Sequence, residues 1–224
     1  MKYVIAANRI WYKNMPVKLA ALTKQEFILI DKKEDLTFEL LQDIKPRYIF
    51  FPHWSFIIPK EIYENYESVI FHMTDVPFGR GGSPLQNLIA RGIFDTKISA
   101  LMCQEDLDAG PVYLKRPFSL FGSAEEIYIR AAKEIEEMIV YIIENEPNPV
   151  KQQGEVVYFN RRKQEDGNIA NLTDLEQVFN YIRMLDAKDY PRAFLENGNF
   201  RFEFQRASLK NDYVIADVKI TKRR

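Results

Sequence analysis

The chain has 224 residues, 46% hydrophobic and 28% charged, with a formal net charge of −1, one cysteine and two histidines. This balance fits an ordinary globular protein, one good-sized domain or a core with a small appendage, and gives no electrostatic case for binding nucleic acid. The lone Cys103 excludes an internal disulfide and a cysteine zinc site, and no run reaches the ~18 apolar residues that span a bilayer, so neither a metal nor a membrane partner is expected.

Residues 2–7 read as a buried strand; they lack the apolar core and cleavage site of a signal peptide, which makes the cytoplasm the expected compartment. Asn8-Arg9 breaks the strand. Helix-like spacing over 17–23 is followed by a second strand at 26–31 and helical spacing at 35–44. A third strand at 48–51 ends at Pro52-His53, and Pro59 opens a short helix to Tyr63. A fourth strand at 69–72 precedes a helix at 84–91, with Ser83 as its predicted N-cap and Pro84 at its first position. Strands alternating with helices predict an α/β fold: a mostly parallel sheet, helices on both faces, and sites at the strand C-termini.

After Gly92 the pattern changes. Two strands, 97–104 and 111–117, are joined by the short Glu105-Asp106-Leu107-Asp108-Ala109-Gly110, which favours an antiparallel hairpin or a bulged turn. Ser123 opens a long helix to about residue 145, with Ile127, Ile129, Ala131, Ile135, Met138, Ile139 and Ile142 assigned to its inner face. Pro147-Asn148-Pro149 is the clearest breaker, so the expected division is 1–150 and 151–224. The second part holds a strand at 155–159, a charged turn at 161–167, a helix at 173–185 and strands at 200–204 and 213–220, a small α+β unit. Its aromatic strands, with Phe200, Phe202, Phe204 and Tyr213, suit either core packing or pairing across a homodimer. The basic tail Lys222-Arg223-Arg224 reads as a solvated end.

The chemistry concentrates in residues 69–86, V-I-F-H-M-T-D-V-P-F-G-R-G-G-S-P-L-Q. An apolar strand stops at His72, a glycine-rich loop follows, and a helix begins. That layout places a ligand site at a strand C-terminus, and glycines let a backbone approach closely. The loop matches neither phosphate-binding glycine pattern. His72 is the candidate base near neutral pH; read structurally, it is a satisfied buried imidazole. Asp108 is either a cleft carboxylate or an Asx-turn residue.

Residues His72, Thr74, Pro77, Arg80, Gly81, Pro84 and Gln86 fall in register with the signature N-I-H-x-S-x-L-P-x-x-R-G-x-x-P-I-Q, and Asp108, Gly110 and Pro111 with a later D-x-G-P. The chain thus resembles the formyltetrahydrofolate-dependent formyltransferases. Residues 158–167 are similar to the F-x-R-R-x-P-E-D-G element of sugar N-formyltransferases, and Ile182-Arg183 through Tyr190–Phe194 to their I-R-A … Y-P-G-A-F element. Within that group the resemblance points to the pseudaminic-acid pathway enzymes. The 72–89 run also resembles the formylation domain that opens the linear gramicidin synthetase.

The resemblance implies a Rossmann-like formyltransferase core and transfer of a formyl group from N10-formyltetrahydrofolate, without metal, to an amine. The expected acceptor is the 4-amino group of a nucleotide-linked 4-amino-4,6-dideoxy sugar, UDP-4-amino-4,6-dideoxy-N-acetyl-altrosamine in pseudaminic acid biosynthesis. The near-neutral charge speaks against tRNA. The alternatives are a carrier-bound aminoacyl acceptor and a non-catalytic folate-binding module. His72 and Asp108 take the catalytic positions. Trp54, Phe56 and Ile58 are the expected pterin neighbours, with Gln104 and Asp106 at the pterin edge. Asn8, Arg9, Trp11, Arg80, Arg161, Arg162 and Tyr190 are the expected acceptor contacts. His53 ranks behind His72. One departure matters: the family's Asn, two residues before the His, is Ile70 here and cannot donate a hydrogen bond.

Overall fold

Two inner strands carry uninterrupted buried runs, residues 3–7 and 48–52, and the main sheet forms around them. The structure is a computed structural model describing residues 1–223; Arg224, the last residue of the basic tail, lies outside the described residues. The strands are β1 (Lys2–Ala7), β2 (Glu26–Ile30), β3 (Tyr48–His53), β4 (Ser68–His72), β5 (Phe78–Gly81), β6 (Asp95–Met102), β7 (Val112–Ser119), β8 (Val157–Phe159), β9 (Ala193–Asn197), β10 (Phe200–Leu209) and β11 (Val214–Lys222). The helices are α1 (Met15–Thr23), α2 (Phe38–Ile44), α3 (Lys60–Asn65), α4 (Pro84–Ala90), α5 (Ala124–Asn145) and α6 (Leu175–Arg183). Residues 3–7 and 48–52 are buried throughout, as expected of strands covered on both faces.

The chain divides into two units that interleave in sequence. The first comprises Met1–Arg80, Lys97–Phe118 and Ile129–Tyr158; the second comprises Gly81–Thr96, Ser119–Tyr128 and the chain from Phe159. The six-stranded sheet has the order β2-β1-β3-β4-β6-β7. β1 pairs in parallel with β2 and β3, and β3 with β4, while β6 runs antiparallel to β4. The mostly parallel α/β sheet with added helices is therefore as predicted. In the second unit, β9, β10 and β11 form an antiparallel sheet on which α6 packs, the small α+β part.

Local chemistry explains several boundaries. Thr37 accepts from the Leu40 N–H to cap α2, and Asp174 accepts from the Glu176 and Gln177 N–H groups to cap α6. Lys24 and Lys45 end α1 and α2 in the left-handed conformation. Three expectations need correction. Ser83 does not cap α4: its hydroxyl accepts from the Arg162 N–H instead. The stretch read as a glycine-rich loop contains a short strand, β5, which pairs with β8. Ile129 is exposed, whereas the other six apolar α5 positions are buried, because two residues turn a helix through about 200°. β9 lies outside the expected strands, although Asn197-Gly198 is a hairpin signal and Asn197 pairs with Phe200 of β10.

Candidate active site

β4 delivers His72 to the C-terminal edge of the sheet, and the β6–β7 turn delivers Asp108. Both are buried, at 7% and 8% exposure. His72 Nδ1 stands 3.5 Å from Asp108 Oδ2, and its Nε2 lies 2.7 Å from the Gly79 carbonyl oxygen. Both neighbours are acceptors. A ring carrying a hydrogen on each nitrogen satisfies them together; a neutral ring donating to Gly79 turns a lone pair on the carboxylate. The Gly79 carbonyl also accepts from Thr74 Oγ1 at 3.3 Å, and Ser99 Oγ donates to the Thr74 carbonyl at 2.7 Å. The pair is thus set within a buried polar lattice on β4 and β6. The structure brings the two residues together.

The glycines of the signature have steric reasons. A Cβ on Gly110 would stand 1.8 Å from the Met102 carbonyl oxygen, one on Gly81 2.5 Å from that of Phe159, and one on Gly82 2.6 Å from Arg161 Cα. Backbone presses on backbone at each, so these glycines admit neighbouring chain. Arg80 gives Nε–H and Nη2–H to Gln152 Oε1, at 3.1 and 2.8 Å, and Gln152 Nε2 gives to the Asp108 and Gly110 carbonyls, both at 2.8 Å. Sequence reasoning missed Gln152. It lies in the polar run Lys151-Gln152-Gln153 and carries no local signal.

A second cluster gathers where β1 and β3 end. His53 sits between the rings of Trp11 and Tyr12, with centroids at 6.2 and 5.9 Å. Burial, with the Arg9 charge second, pushes its pKa down to about 3, so its ring is neutral. Ser55 Oγ donates to Asn8 Oδ1 at 3.3 Å. Asn8, Arg9, Trp11 and His53 therefore share one strand end. Trp54 packs edge-on against Phe51 and Phe56, and its buried indole N–H has no hydrogen-bond partner among the described residues. Trp54, Ile58 and Ile70 flank the same apolar cluster. Phe51, against which Trp54 packs, is the register partner of Ile70. Phe56 and Ile57 are exposed, at 40% and 91%. Gln104 and Asp106 are exposed on the turn before Asp108.

The remaining predicted contacts lie in the second unit, and two of them are already engaged. The Arg162 guanidinium donates to the Asp166 carbonyl and lies over the Tyr181 ring. The Tyr190 hydroxyl bonds that of Tyr128 at 2.8 Å, with the rings stacked. Arg161 is exposed. Gln86, from the signature, donates to the Tyr128 hydroxyl at 3.2 Å. Among the described residues no group of His, Cys, Asp and Glu could hold a metal ion, and no helix is long and apolar enough to cross a membrane.

Comparison with known proteins adds four likenesses. Residues 164–221 match the family model described as methionyl-tRNA formyltransferase, C-terminal domain. The methionyl-tRNA formyltransferase of Mesoplasma florum is 27% identical over 213 residues, 91% of this chain and 67% of that protein. The solved structure named methionyl-tRNA formyltransferase from Clostridium thermocellum is 50% identical, covers 99% of both chains, and superposes with a TM-score of 0.96. A sugar N-formyltransferase from Shewanella sp. is 13% identical, covers 92% of this chain and 97% of that one, and has a TM-score of 0.72, a likeness of fold alone. The chain spans roughly half to two thirds of the length of the curated relatives it matches.

Proposed function

We propose, from the premise that this chain belongs to the formyltransferase family of group-transfer enzymes, that it moves a formyl group from N10-formyltetrahydrofolate to the free amine of a carrier-bound aminoacyl group. The observation that carries the transfer reading is the buried His72–Asp108 pair at the end of β4. The acceptor reading draws on the likeness, at 50% identity over the whole chain, to a protein named for methionyl-tRNA. The likeness to the Shewanella sugar N-formyltransferase carries shared fold alone.

The folate supplies an amide-like formyl carbon. The acceptor nitrogen bonds to that carbon, the bond to N10 breaks, one proton leaves the amine and one reaches N10. As the amine adds, the formyl oxygen gains negative charge and needs donors. Ile70 offers none. With two acceptors at its nitrogens, His72 is arranged as a donor, and a swing of Nε2 from the Gly79 carbonyl toward the formyl oxygen brings it to that role. Asp108 then takes the proton that the amine sheds, directly or through a water. Trp54 fits a pterin on two counts: its N–H is buried without a partner, and Phe56 and Ile57 beside it leave apolar surface open to a flat ring. The end of β1 and β3, with Asn8, Arg9 and Trp11, is the acceptor side.

A second reading keeps the nucleotide-linked amino sugar as acceptor. It is favoured by the net charge of −1, since tRNA binding depends on neutralising phosphates, and by the sugar-enzyme elements at 158–167 and 182–194. One assay decides between them. The protein is incubated with N10-formyltetrahydrofolate and, in parallel, methionyl-tRNA, an aminoacyl carrier protein, and a panel of UDP- and dTDP-linked 4-amino sugars. Formyl-aminoacyl product supports the leading reading. Product on a sugar alone selects the second. Folate bound without turnover on any acceptor leaves a binding module and sinks both.

A further inference from the structure

We propose that Gln152 is a positioning residue of the formyl-transfer site: it fixes the backbone of the Asp108 turn so that the carboxylate stays facing His72, and Arg80 serves to aim Gln152 rather than to bind the acceptor. Its kinetic part rests on the formyl-transfer reading above; its structural part does not.

A glutamine amide has two acceptor positions and two hydrogens. Gln152 uses all four. Oε1 takes Nε–H and Nη2–H of Arg80, and both Nε2 hydrogens go to the carbonyls of Asp108 and Gly110. The guanidinium has only donors, so it compels Oε1 to face it and turns the NH2 group toward the turn. Without Arg80 the amide is free to flip, which would set oxygen against two carbonyls. A lysine offers one point donor and cannot impose the same fork.

Asp108 needs this restraint. Its φ is +51°, in the left-handed region that a non-glycine residue keeps only where its surroundings hold it. The turn's own hydrogen bond, Ala109 N–H to the Asp106 carbonyl, is 3.2 Å long. On one side the turn is pressed against β6, where Gly110 meets the Met102 carbonyl; on the other, Gln152 holds it. If the two carbonyls lose their donor, Asp108 can relax to an ordinary φ and carry its carboxylate away from His72. A misplacement of about 1 Å at such a site typically costs on the order of 10²-fold in rate.

Other titratable and charged groups stand near the pair in the chain. Cys103, at the end of β6, is pushed up to about 11, by burial first and by the Asp108 charge second. Arg80 is engaged by Gln152. Asp75, three residues after His72, is held by Lys97 and Lys115 at 2.9 and 2.6 Å. Thr74 and Ser99 are neutral.

The chain has only two histidines, so His72 can be followed by NMR without ambiguity. The experiment records the His72 ring signals in the wild type, Gln152→Ala, Arg80→Lys and Asp108→Asn, alongside kcat and KM. Asp108→Asn is the reference for a ring that has lost its carboxylate partner. We expect Gln152→Ala to move the ring signals part of the way toward that reference, kcat to fall about 10- to 100-fold, and both KM values to stay within about threefold. Arg80→Lys, which keeps the charge and loses the fork, should follow in the same direction, and it carries the test if Gln152→Ala does not fold. Wild-type ring signals and kcat in folded Gln152→Ala, with those of Asp108→Asn displaced, would overturn the proposal. If the ring signals move as expected but the wild type formylates nothing, the brace stands and the formyl-transfer reading fails.

Discussion

Two histidines end two adjacent parallel strands, and their surroundings give them opposite tasks. His72, at the end of β4, faces a carbonyl and a carboxylate. His53, at the end of β3, faces the rings of Trp11 and Tyr12 with Arg9 nearby, and is pushed down to about 3. Acceptors on both nitrogens equip an imidazole to hold and hand on a proton. Burial among rings beside a cation denies it one. The strand end supplies a position; the polar groups lining it decide whether a histidine there can do acid–base chemistry.

The largest effect should come from breaking the polar side of that contrast. His72→Ala or Asp108→Ala is expected to lower kcat by about 10³-fold or more with the fold retained, as judged by circular dichroism beside the transfer assay. Residual turnover within tenfold of wild type would move the chemistry elsewhere. Next is the turn that presents Asp108. Gly110→Ala places its Cβ 1.8 Å from a backbone oxygen that cannot swing aside, so a loss of about 3 kcal/mol or more is expected in denaturant unfolding. A third variant sharpens the apolar side: Trp54→Phe keeps a ring and removes one buried donor. We expect a drop of about ten- to a hundredfold in kcat/KM for the folate, read in steady-state kinetics. An unchanged value would leave the indole N–H without a task in catalysis.

The smallest effect tests His53 itself. Folded His53 stays neutral down to about pH 3, while the unfolded chain protonates it below about 6.5. Between those values the unfolded state binds the extra proton, so stability falls as pH falls through that window, by at most about 1.4 kcal/mol per pH unit. His53→Gln should flatten that slope relative to wild type. Parallel slopes in urea unfolding between pH 6.5 and 5 would mean that His53 is charged in the folded protein.

Much of the framework was legible before any coordinates. The uninterrupted apolar runs of β1 and β3, the strand–helix alternation and the 3.6-residue period of α5 depend on nearest neighbours along the chain, and they appeared where expected. Ile129 failed because it was read as apolar without regard to its angle on the helix. Ser83 failed because a residue 79 positions away, Arg162, competes for its hydroxyl. The acceptor contacts were hardest, because surface arginines and tyrosines look alike in a sequence; Arg80 proved to be held by Gln152 and Tyr190 by Tyr128.

The amino-acid sequence alone determined strands β1 to β4, that His72 ends one of them, and that Asp108 lies on a turn, since backbone propensity and apolar periodicity are local. Tertiary structure decided the rest. It set Asp108 against His72, separated the two histidines by environment, filled the space beside three glycines with backbone, and placed Gln152 between Arg80 and the Asp108 turn. Each of these depends on groups distant in sequence meeting in a buried place with little water, where an unmatched polar atom is costly. No pattern along the chain records which partner will arrive.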